Sequence, residues 1–275
     1  MYNQLQDKEE IEFDVINPIS ILSENATAEE WNKIAEGIYK RNLSEYKGII
    51  IAYGTDTMGY FANALSYLLY KIEIPAVIVS SNFVLTDKKT NGLENFKVAV
   101  NFIIQKFHRG VFVAYKNYNG RMFIHQGTRI KQIGQLSGSI YSIQDEYFAE
   151  AIDGNIVIKE NNKNNEIINN DYDFKVSDDV LYIKPIPGIK YDYNIDNYKV
   201  IFHEMFHAGT IPESAIDLVK ECKEKRILFF IGALFDEYET LYSPTMEAVK
   251  EGAIIISNMS QEALLAKLMV ACRNI

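Results

Sequence analysis

A chain of 275 residues, of which 48% are hydrophobic, is long enough to bury a full core as one large domain or two smaller ones. The formal net charge of -9 argues against a nucleic-acid partner, because an acidic surface repels phosphate backbones. Two widely separated cysteines exclude a disulfide framework and a zinc knuckle. The N-terminal residues lack the pattern of a signal peptide, and the apolar runs are too short to span a bilayer. We therefore expect a cytoplasmic protein without a membrane partner.

The N-terminal half of the sequence alternates between helical and strand patterns. It predicts helices at 27–41, 60–71 and 95–107, and strands at 48–53, 76–80 and 110–115. Thr27 and Glu30 have the spacing of a capping box at the start of the first helix. Residues 121–133 instead predict paired short strands. This alternation favours a parallel sheet covered on both faces, in which ligands bind beyond the carboxyl ends of the strands.

The C-terminal part resumes the alternation after a polar stretch. Residues 160–173 are rich in Asn, Lys and Glu, which is typical of a solvated loop or linker. Beyond it the sequence predicts strands at 180–183, 200–202, 227–231 and 253–256, and helices at 214–225, 240–250 and 261–272. We therefore predict an α/β fold with a parallel-sheet N-terminal domain (1–159), a linker (160–178) and a smaller α/β C-terminal domain (179–275).

The segment Gly54-Thr55-Asp56-Thr57 follows a predicted strand and precedes a predicted helix. A glycine at the strand exit permits a sharp turn, and the free N–H groups at a helix start favour an anion. A threonine hydroxyl there can act as a nucleophile when a base takes its proton, and the carboxylate can orient that base or bind an ammonium group. The alternative is structural, because Thr and Asp are also common helix caps.

Four collinear segments resemble the bacterial-type L-asparaginase family. Residues 50–58 (I-I-A-Y-G-T-D-T-M) resemble the family's strand and its H-G-T-D-T-M signature, with Tyr53 in place of the histidine. Residues 21–31 resemble D-S-S-N-M-T-P-E-D-W, residues 91–96 resemble D-G-P-E-N-L, and residues 258–268 resemble D-M-T-P-E-A-A-L-x-K-L. The resemblance implies an asparaginase-like fold, a homodimer or homotetramer, and a small amino-acid or amide substrate.

The resemblance also implies roles for individual residues. Thr55 matches the second catalytic threonine of the family, and Asp56 matches the aspartate that holds the substrate's α-amino group. Lys131 matches the lysine that activates this threonine, although the spacing is one residue short and a surface lysine is the alternative.

Three further residues belong to the implied substrate-binding site. Ser23 matches the residue that binds the substrate α-carboxylate, and Glu24 replaces a neutral residue beside it. Gly54 supplies the turn that opens the site. The implied chemistry is acyl transfer from a side-chain amide of the asparagine or glutamine type, with release of ammonia and no metal or organic cofactor.

Two departures from the family pattern leave alternatives open. The family's opening strand ends in T-G-G-T-I-A and carries the first catalytic threonine, whereas here the first threonine is Thr27 and the first glycine is Gly37. The protein is then a non-catalytic binding or assembly protein, receives the missing strand from an upstream segment or second chain, or catalyses a different acyl transfer through Thr55 and Lys131. Thr210 replaces an asparagine in a turn that approaches the substrate in the family.

A second, unrelated motif is the H-E-x-x-H sequence at 203–207, which on a helix would place His203 and His207 around one zinc ion with Glu204 as the base. Residues 198–202, however, predict a strand, on which residues four apart lie ~13 Å from each other. The sequence therefore keeps a zinc metallopeptidase only as a second alternative.

Overall fold

The N-terminal part of the chain is built on a six-stranded mixed sheet. A computed structural model describes residues 11–105, 108–159, 175–234 and 241–272. The strands are β1 (Ile49–Ala52), β2 (Pro75–Val79), β3 (Gly110–Lys116), β4 (Met122–Gln126), β5 (Ala149–Ile152) and β6 (Asn155–Ile158). They lie in chain order across the sheet, with β1, β2 and β3 parallel and each later pair antiparallel. Among the described strands, β1 therefore lies at one edge.

Two helices pack together on one side of the parallel strands, α1 (Ala28–Tyr39) and α2 (Met58–Leu68). The predicted capping box is present at the start of α1, where the Glu30 carboxylate accepts the Thr27 N–H at 3.1 Å. The fully buried Phe61 of α2 packs against Trp31 of α1, with ring centroids 6.3 Å apart. This contact fixes the helix that starts beyond the end of β1.

The third helix, α3 (Gly92–Gln105), packs on the same sheet through an aromatic cluster. The ring of Phe102 lies 4.9 Å from that of Phe112 on β3 and 6.0 Å from that of Phe148. Because Phe148 directly precedes β5, the cluster ties the antiparallel strands to the parallel ones.

The C-terminal part has an all-parallel sheet of four strands in the order β10-β9-β8-β7. Its strands and helices are β7 (Val180–Ile183), β8 (Val200–His203), α4 (Ala215–Lys225), β9 (Leu228–Leu234), α5 (Ser243–Glu251), β10 (Ile254–Ser257) and α6 (Gln261–Ala271). On β8, Val200 and Phe202 pack with Leu264 of α6, whereas Ile201 packs with Leu218 of α4. Both faces of β8 are therefore buried, as its apolar sequence requires.

The predicted fold class is confirmed, because both sheets contain parallel strands connected by helices. Of the paired short strands predicted within 121–133, only β4 forms, and Gly127–Arg129 is a 3-10 turn, so the pairing predicted there is wrong. Strands β5 and β6 were not predicted. The chain divides into two compact units, Met1–Asp171 and Tyr172–Ile275. Most of the predicted linker 160–178 lies outside the described residues, so the domain limits 1–159 and 179–275 stay predictions. Within the described ranges, no helix has both the length and the apolarity needed to cross a bilayer.

A histidine is buried inside the N-terminal sheet. His125 on β4 is 2% exposed, and its Nδ1 lies 2.8 Å from Ser142 Oγ. Its Nε2 has no hydrogen-bond partner among the described residues. Burial lowers the pKa of His125 to about 3, so the folded protein keeps this ring neutral well below the pH at which an unfolded chain protonates it.

We therefore expect the N-terminal unit to lose stability as the pH falls below 6.5, because His125 then binds a proton in the unfolded chain but stays neutral in the folded protein. Between pH 7 and pH 5 the titration of this residue should lower the free energy of unfolding by about 2 kcal/mol, at 1.36 kcal/mol per pKa unit. Urea unfolding followed by the fluorescence of Trp31, the single tryptophan, measures this loss. In His125→Phe the loss attributable to this site should disappear.

The matched control is Ile124→Val, at the fully buried neighbouring position on β4. It should lower the free energy of unfolding by roughly 0.5–1.5 kcal/mol at both pH values. An equal loss between pH 7 and pH 5 in the wild type and in His125→Phe would contradict the assignment.

Candidate active site

The loop of residues 53–57 joins β1 to α2 at the carboxyl end of the parallel strands. The N–H of Tyr53 still donates to the Val79 carbonyl at 3.0 Å, so the pairing of β1 with β2 continues one residue beyond the strand. The chain then turns at Gly54, and α2 begins at Met58. Within the loop Thr55 is half-buried and Asp56 is exposed. Thr55 and Asp56 therefore lie in the loop after β1, as the sequence predicts, at the carboxyl edge of the parallel strands.

A second segment approaches this loop very closely. Residues Ser23–Asn25 form a 3-10 turn, and Ser23 is only 7% exposed. A Cβ atom added to Gly54 would overlap the Ser23 hydroxyl oxygen and lie 2.7 Å from its Cβ. Only glycine therefore fits at position 54 with the chain in this place.

The same close approach brings Ser23 to Asp56. The Ser23 hydroxyl donates to Asp56 Oδ2 at 3.4 Å, a long hydrogen bond between residues 33 positions apart. Glu24, the next residue, is exposed. Ser23, Gly54 and Asp56 therefore form one cluster, and Glu24 lies beside it in the chain.

A third segment contacts the loop through Gln132. Its side-chain amide donates to the Asp56 carbonyl at 2.7 Å and accepts the Gly59 N–H at 3.0 Å. A Cβ on Gly59 would lie 2.7 Å from the Gln132 backbone, so the segment packs directly on the first turn of α2. Lys131 precedes Gln132, is half-buried, and donates its backbone N–H to the Tyr141 carbonyl at 2.9 Å. The predicted lysine therefore belongs to a segment that touches the Thr55–Asp56 loop.

A row of hydrogen bonds from Trp31 through Tyr53 and Thr57 to Ser23 supports the cluster. Trp31 Nε1 lies 3.0 Å from Tyr53 Oη, which lies 3.0 Å from Thr57 Oγ1. The Thr57 hydroxyl in turn donates to the Ser23 carbonyl at 2.9 Å. Sequence reasoning missed this row and Gln132, because all but the Tyr53–Thr57 bond join segments that are far apart in the chain, and no spacing pattern predicts such contacts.

The backbone of the loop also offers donors. Within the described part of the chain, the N–H groups of Asp56 and Thr57 have no hydrogen-bond acceptor. They lie at the start of α2, where the helix dipole adds a partial positive charge. The site therefore combines a hydroxyl, a carboxylate and free backbone N–H groups, which together suit a zwitterionic ligand.

The H-E-x-x-H sequence does not form a helix. His203 ends strand β8, its Nδ1 lies 2.5 Å from the Glu204 carbonyl, and its Nε2 lies 2.7 Å from the Tyr191 hydroxyl. Because a carbonyl only accepts, Nδ1 carries the proton and Nε2 accepts from Tyr191. Burial lowers the pKa of His203 to about 4, which keeps this neutral form.

His203 therefore has no free nitrogen for a metal. His207 is exposed and lies in the turn closed by the bridge between Phe206 and Thr210. No group of three or more potential ligands for a metal ion occurs in the ranges that the structure describes. The zinc alternative thus finds no site in the described residues.

Comparison with known proteins finds a matching family model and several related sequences. A family model described as "Asparaginase, N-terminal" matches residues 1–164 of the chain. The L-asparaginase of Thermococcus kodakarensis is 27% identical over an alignment of 269 positions, which covers 94% of this chain and 78% of that protein. One component of the glutamyl-tRNA(Gln) amidotransferase of Methanococcus maripaludis is 28% identical over an alignment of 278 positions, which covers 93% of this chain and 64% of that protein. The chain therefore spans less than two thirds of this amidotransferase component.

Solved structures show the same fold. The thermostable L-asparaginase from Thermococcus kodakarensis superposes with a TM-score of 0.81 at 23% identity, covering 98% of this chain and 82% of that one. A probable cytoplasmic L-asparaginase from Campylobacter jejuni gives a TM-score of 0.74 at 20% identity, covering 93% and 82%.

The close approach at Gly54 predicts a specific packing defect. Gly54→Ala should destabilise the N-terminal unit by about 1–3 kcal/mol, the usual cost of overpacking, because the new methyl group displaces Ser23. Urea unfolding followed by Trp31 fluorescence measures the effect.

Two further variants identify its cause. Gly134→Ala is the control, since nothing lies within 4 Å of a Cβ at that position, and it should change stability by less than about 0.5 kcal/mol. Adding Ser23→Gly to Gly54→Ala should restore most of the lost stability, because the clashing atoms are gone. Purely additive losses in the double variant would refute the steric explanation.

Proposed function

This chain belongs to the asparaginase family, and we propose that it hydrolyses a side-chain amide of the asparagine or glutamine type. The observation that carries the proposal is the cluster at the end of β1, where the buried Ser23 hydroxyl meets the exposed Asp56 carboxylate over Gly54. Such a cluster can hold the ammonium and carboxylate groups of an amino acid, and the adjacent Thr55 supplies a hydroxyl for the chemistry at its side chain.

In the proposed reaction Thr55 attacks the amide carbon of the substrate. Lys131 activates this hydroxyl through a hydrogen-bonded relay that removes its proton, since a threonine is a weak nucleophile at neutral pH. The developing oxyanion is held by backbone N–H groups of the loop, of which those of Asp56 and Thr57 are free among the described residues. The proton taken from Thr55 is returned to the amide nitrogen, the carbon–nitrogen bond breaks and ammonia leaves. Water then hydrolyses the acyl-enzyme and restores the Thr55 hydroxyl.

The roles in substrate binding follow from charge. Asp56 binds the α-ammonium group through a charge-assisted hydrogen bond, which is the stronger kind. When the ligand binds, the single proton of the Ser23 hydroxyl turns from Asp56 to the α-carboxylate. The exposed Glu24 can accept a hydrogen bond from the ammonium group and would repel a carboxylate. We further propose that the protein acts as a homodimer or homotetramer, the assembly implied by the sequence resemblance, and that the reaction needs no metal or organic cofactor.

The second candidate function is binding without catalysis. It is favoured by the same cluster, because Ser23 and Asp56 can hold an amino acid whether or not Thr55 has a base. The two candidates share the ligand and differ only in the chemistry at Thr55, so one set of variants separates them.

Release of ammonia from asparagine and from glutamine tests the proposal directly. Thr55→Ala should lower kcat by at least about 1,000-fold, because it removes the nucleophile. Asp56→Asn should act mainly through KM, raising it roughly 10- to 100-fold, because a hydrogen bond to a charged group is lost. The matched control is Asp153→Asn, which makes the same charge change at an exposed turn between β5 and β6 and should leave both constants unchanged.

Thermal shift with aspartate decides between the two candidates. A protein that releases no ammonia but is stabilised by aspartate, and loses that shift in Asp56→Asn, is a binding protein on this fold. Full activity in Thr55→Ala would refute the proposed nucleophile, and the absence of both ammonia release and an aspartate shift would refute both candidates.

A further inference from the structure

The hydrogen bonds beneath the candidate site run in a single direction. The Trp31 indole N–H can only donate, and the Ser23 carbonyl can only accept. Each of the two hydroxyl groups between them has one proton. Because Thr57 donates to Ser23, Tyr53 must donate to Thr57, and Tyr53 in turn accepts from Trp31. Each proton in the row therefore has one acceptor, so the arrangement has no equivalent alternative.

Tyr53 is itself held firmly. Its ring stacks on that of Phe61, with centroids 3.9 Å apart and the planes inclined by 14°. Phe61 is fully buried in α2 and also contacts Trp31. Burial raises the pKa of the Tyr53 hydroxyl, so at neutral pH the group keeps the proton that the row requires. The core of the N-terminal unit therefore fixes the Tyr53 hydroxyl, which donates to Thr57.

The row ends at the residue that completes the site. The Ser23 carbonyl accepts both the Thr57 hydroxyl and, at 3.1 Å, the N–H of Ala26, which closes the 3-10 turn. The hydroxyl of the same Ser23 reaches Asp56. Because this contact is already long at 3.4 Å, a small shift of the turn would break it.

We infer that Tyr53 is a positioning residue: through Thr57 it fixes the backbone of Ser23 and thereby the Ser23–Asp56 pair that receives the amino-acid end of the ligand. The role for the ligand rests on the proposed function, whereas the restraint on the turn does not. Tyr53 thus acts on affinity and leaves the chemistry at Thr55 unchanged.

Two measurements on Tyr53→Phe test this inference. The first needs no ligand: amide hydrogen exchange of a peptide spanning 21–27 should become about 5- to 10-fold faster, because one hydrogen bond restraining the turn is weakened. The second is kinetic or, for a protein without catalysis, the affinity for aspartate. KM, or the Kd of aspartate, should rise about 5- to 10-fold, with kcat within about twofold of the wild type.

The chain provides a matched control. Tyr39 donates its hydroxyl to the Leu68 carbonyl at 3.2 Å, so it also joins α1 to the end of α2 but has no link to Ser23. Tyr39→Phe should leave both the exchange of 21–27 and KM unchanged. Thr57→Val removes the last link of the row and should reproduce the effects of Tyr53→Phe. The double variant should then be no worse than Thr57→Val alone, because the two residues act in series.

Each outcome bears on the inference. Exchange of 21–27 that is unchanged in Tyr53→Phe, or accelerated equally in Tyr39→Phe, overturns the restraint. Faster exchange with wild-type KM and aspartate affinity overturns the positioning role. If the wild type neither releases ammonia nor binds aspartate, the proposed function fails by itself, and the exchange experiment still decides whether Tyr53 holds Ser23.

Discussion

The approach of Ser23 to the backbone of Gly54 is the contact on which the candidate site depends. It requires a residue without a side chain at the exit of β1, and it brings together two segments that are 31 positions apart in the chain. Neither segment could take this position alone, because a 3-10 turn and a connecting loop have little regular hydrogen bonding of their own. Their geometry is imposed by the core, through Trp31 and Phe61 on one side and by Gln132 on the other.

The contacts to Gln132 and Ser23 explain how the exposed Asp56 carboxylate can be held in one position. Asp56 stands on the rim of the sheet, where a surface side chain usually loses rotamer entropy when it holds one position. Here its carbonyl is held by Gln132 and its carboxylate meets a serine that is almost fully buried. The restraint therefore comes from polar contacts to fixed neighbours, which is the arrangement that a binding site needs before its ligand arrives.

The sequence predicted the features that depend on local periodicity. The capping box of Thr27 and Glu30, the β1–α2 connection and the strand before His203 are all set by neighbours within a few positions, and the structure contains each of them. Sequence reasoning did not find β5 and β6, because Ala149–Ile152 is short and their pairing depends on contacts with β4. It also missed Gln132 and the part played by Tyr53, because Gln132 bonds to Asp56, which is 76 positions away, and Tyr53 bonds to Trp31, which is 22 positions away. The roles of Thr55 and Lys131 remain predictions, since they concern chemistry and not placement.

The position of β1 at the edge of the described sheet determines what can bind beside the candidate site. Because the Tyr53 N–H points to β2, the alternation of a strand directs the backbone N–H and C=O groups of Ile50 and Ala52 to the opposite side. No described strand pairs with that side, and Ile49–Ala52 contains no lysine, proline or bulge of the kind that usually guards an exposed edge. An extended peptide that added to this edge in parallel would run toward Gly54, the residue that packs against Ser23. Strand addition and occupancy of the ligand site would then be physically coupled, although they use different groups of the protein.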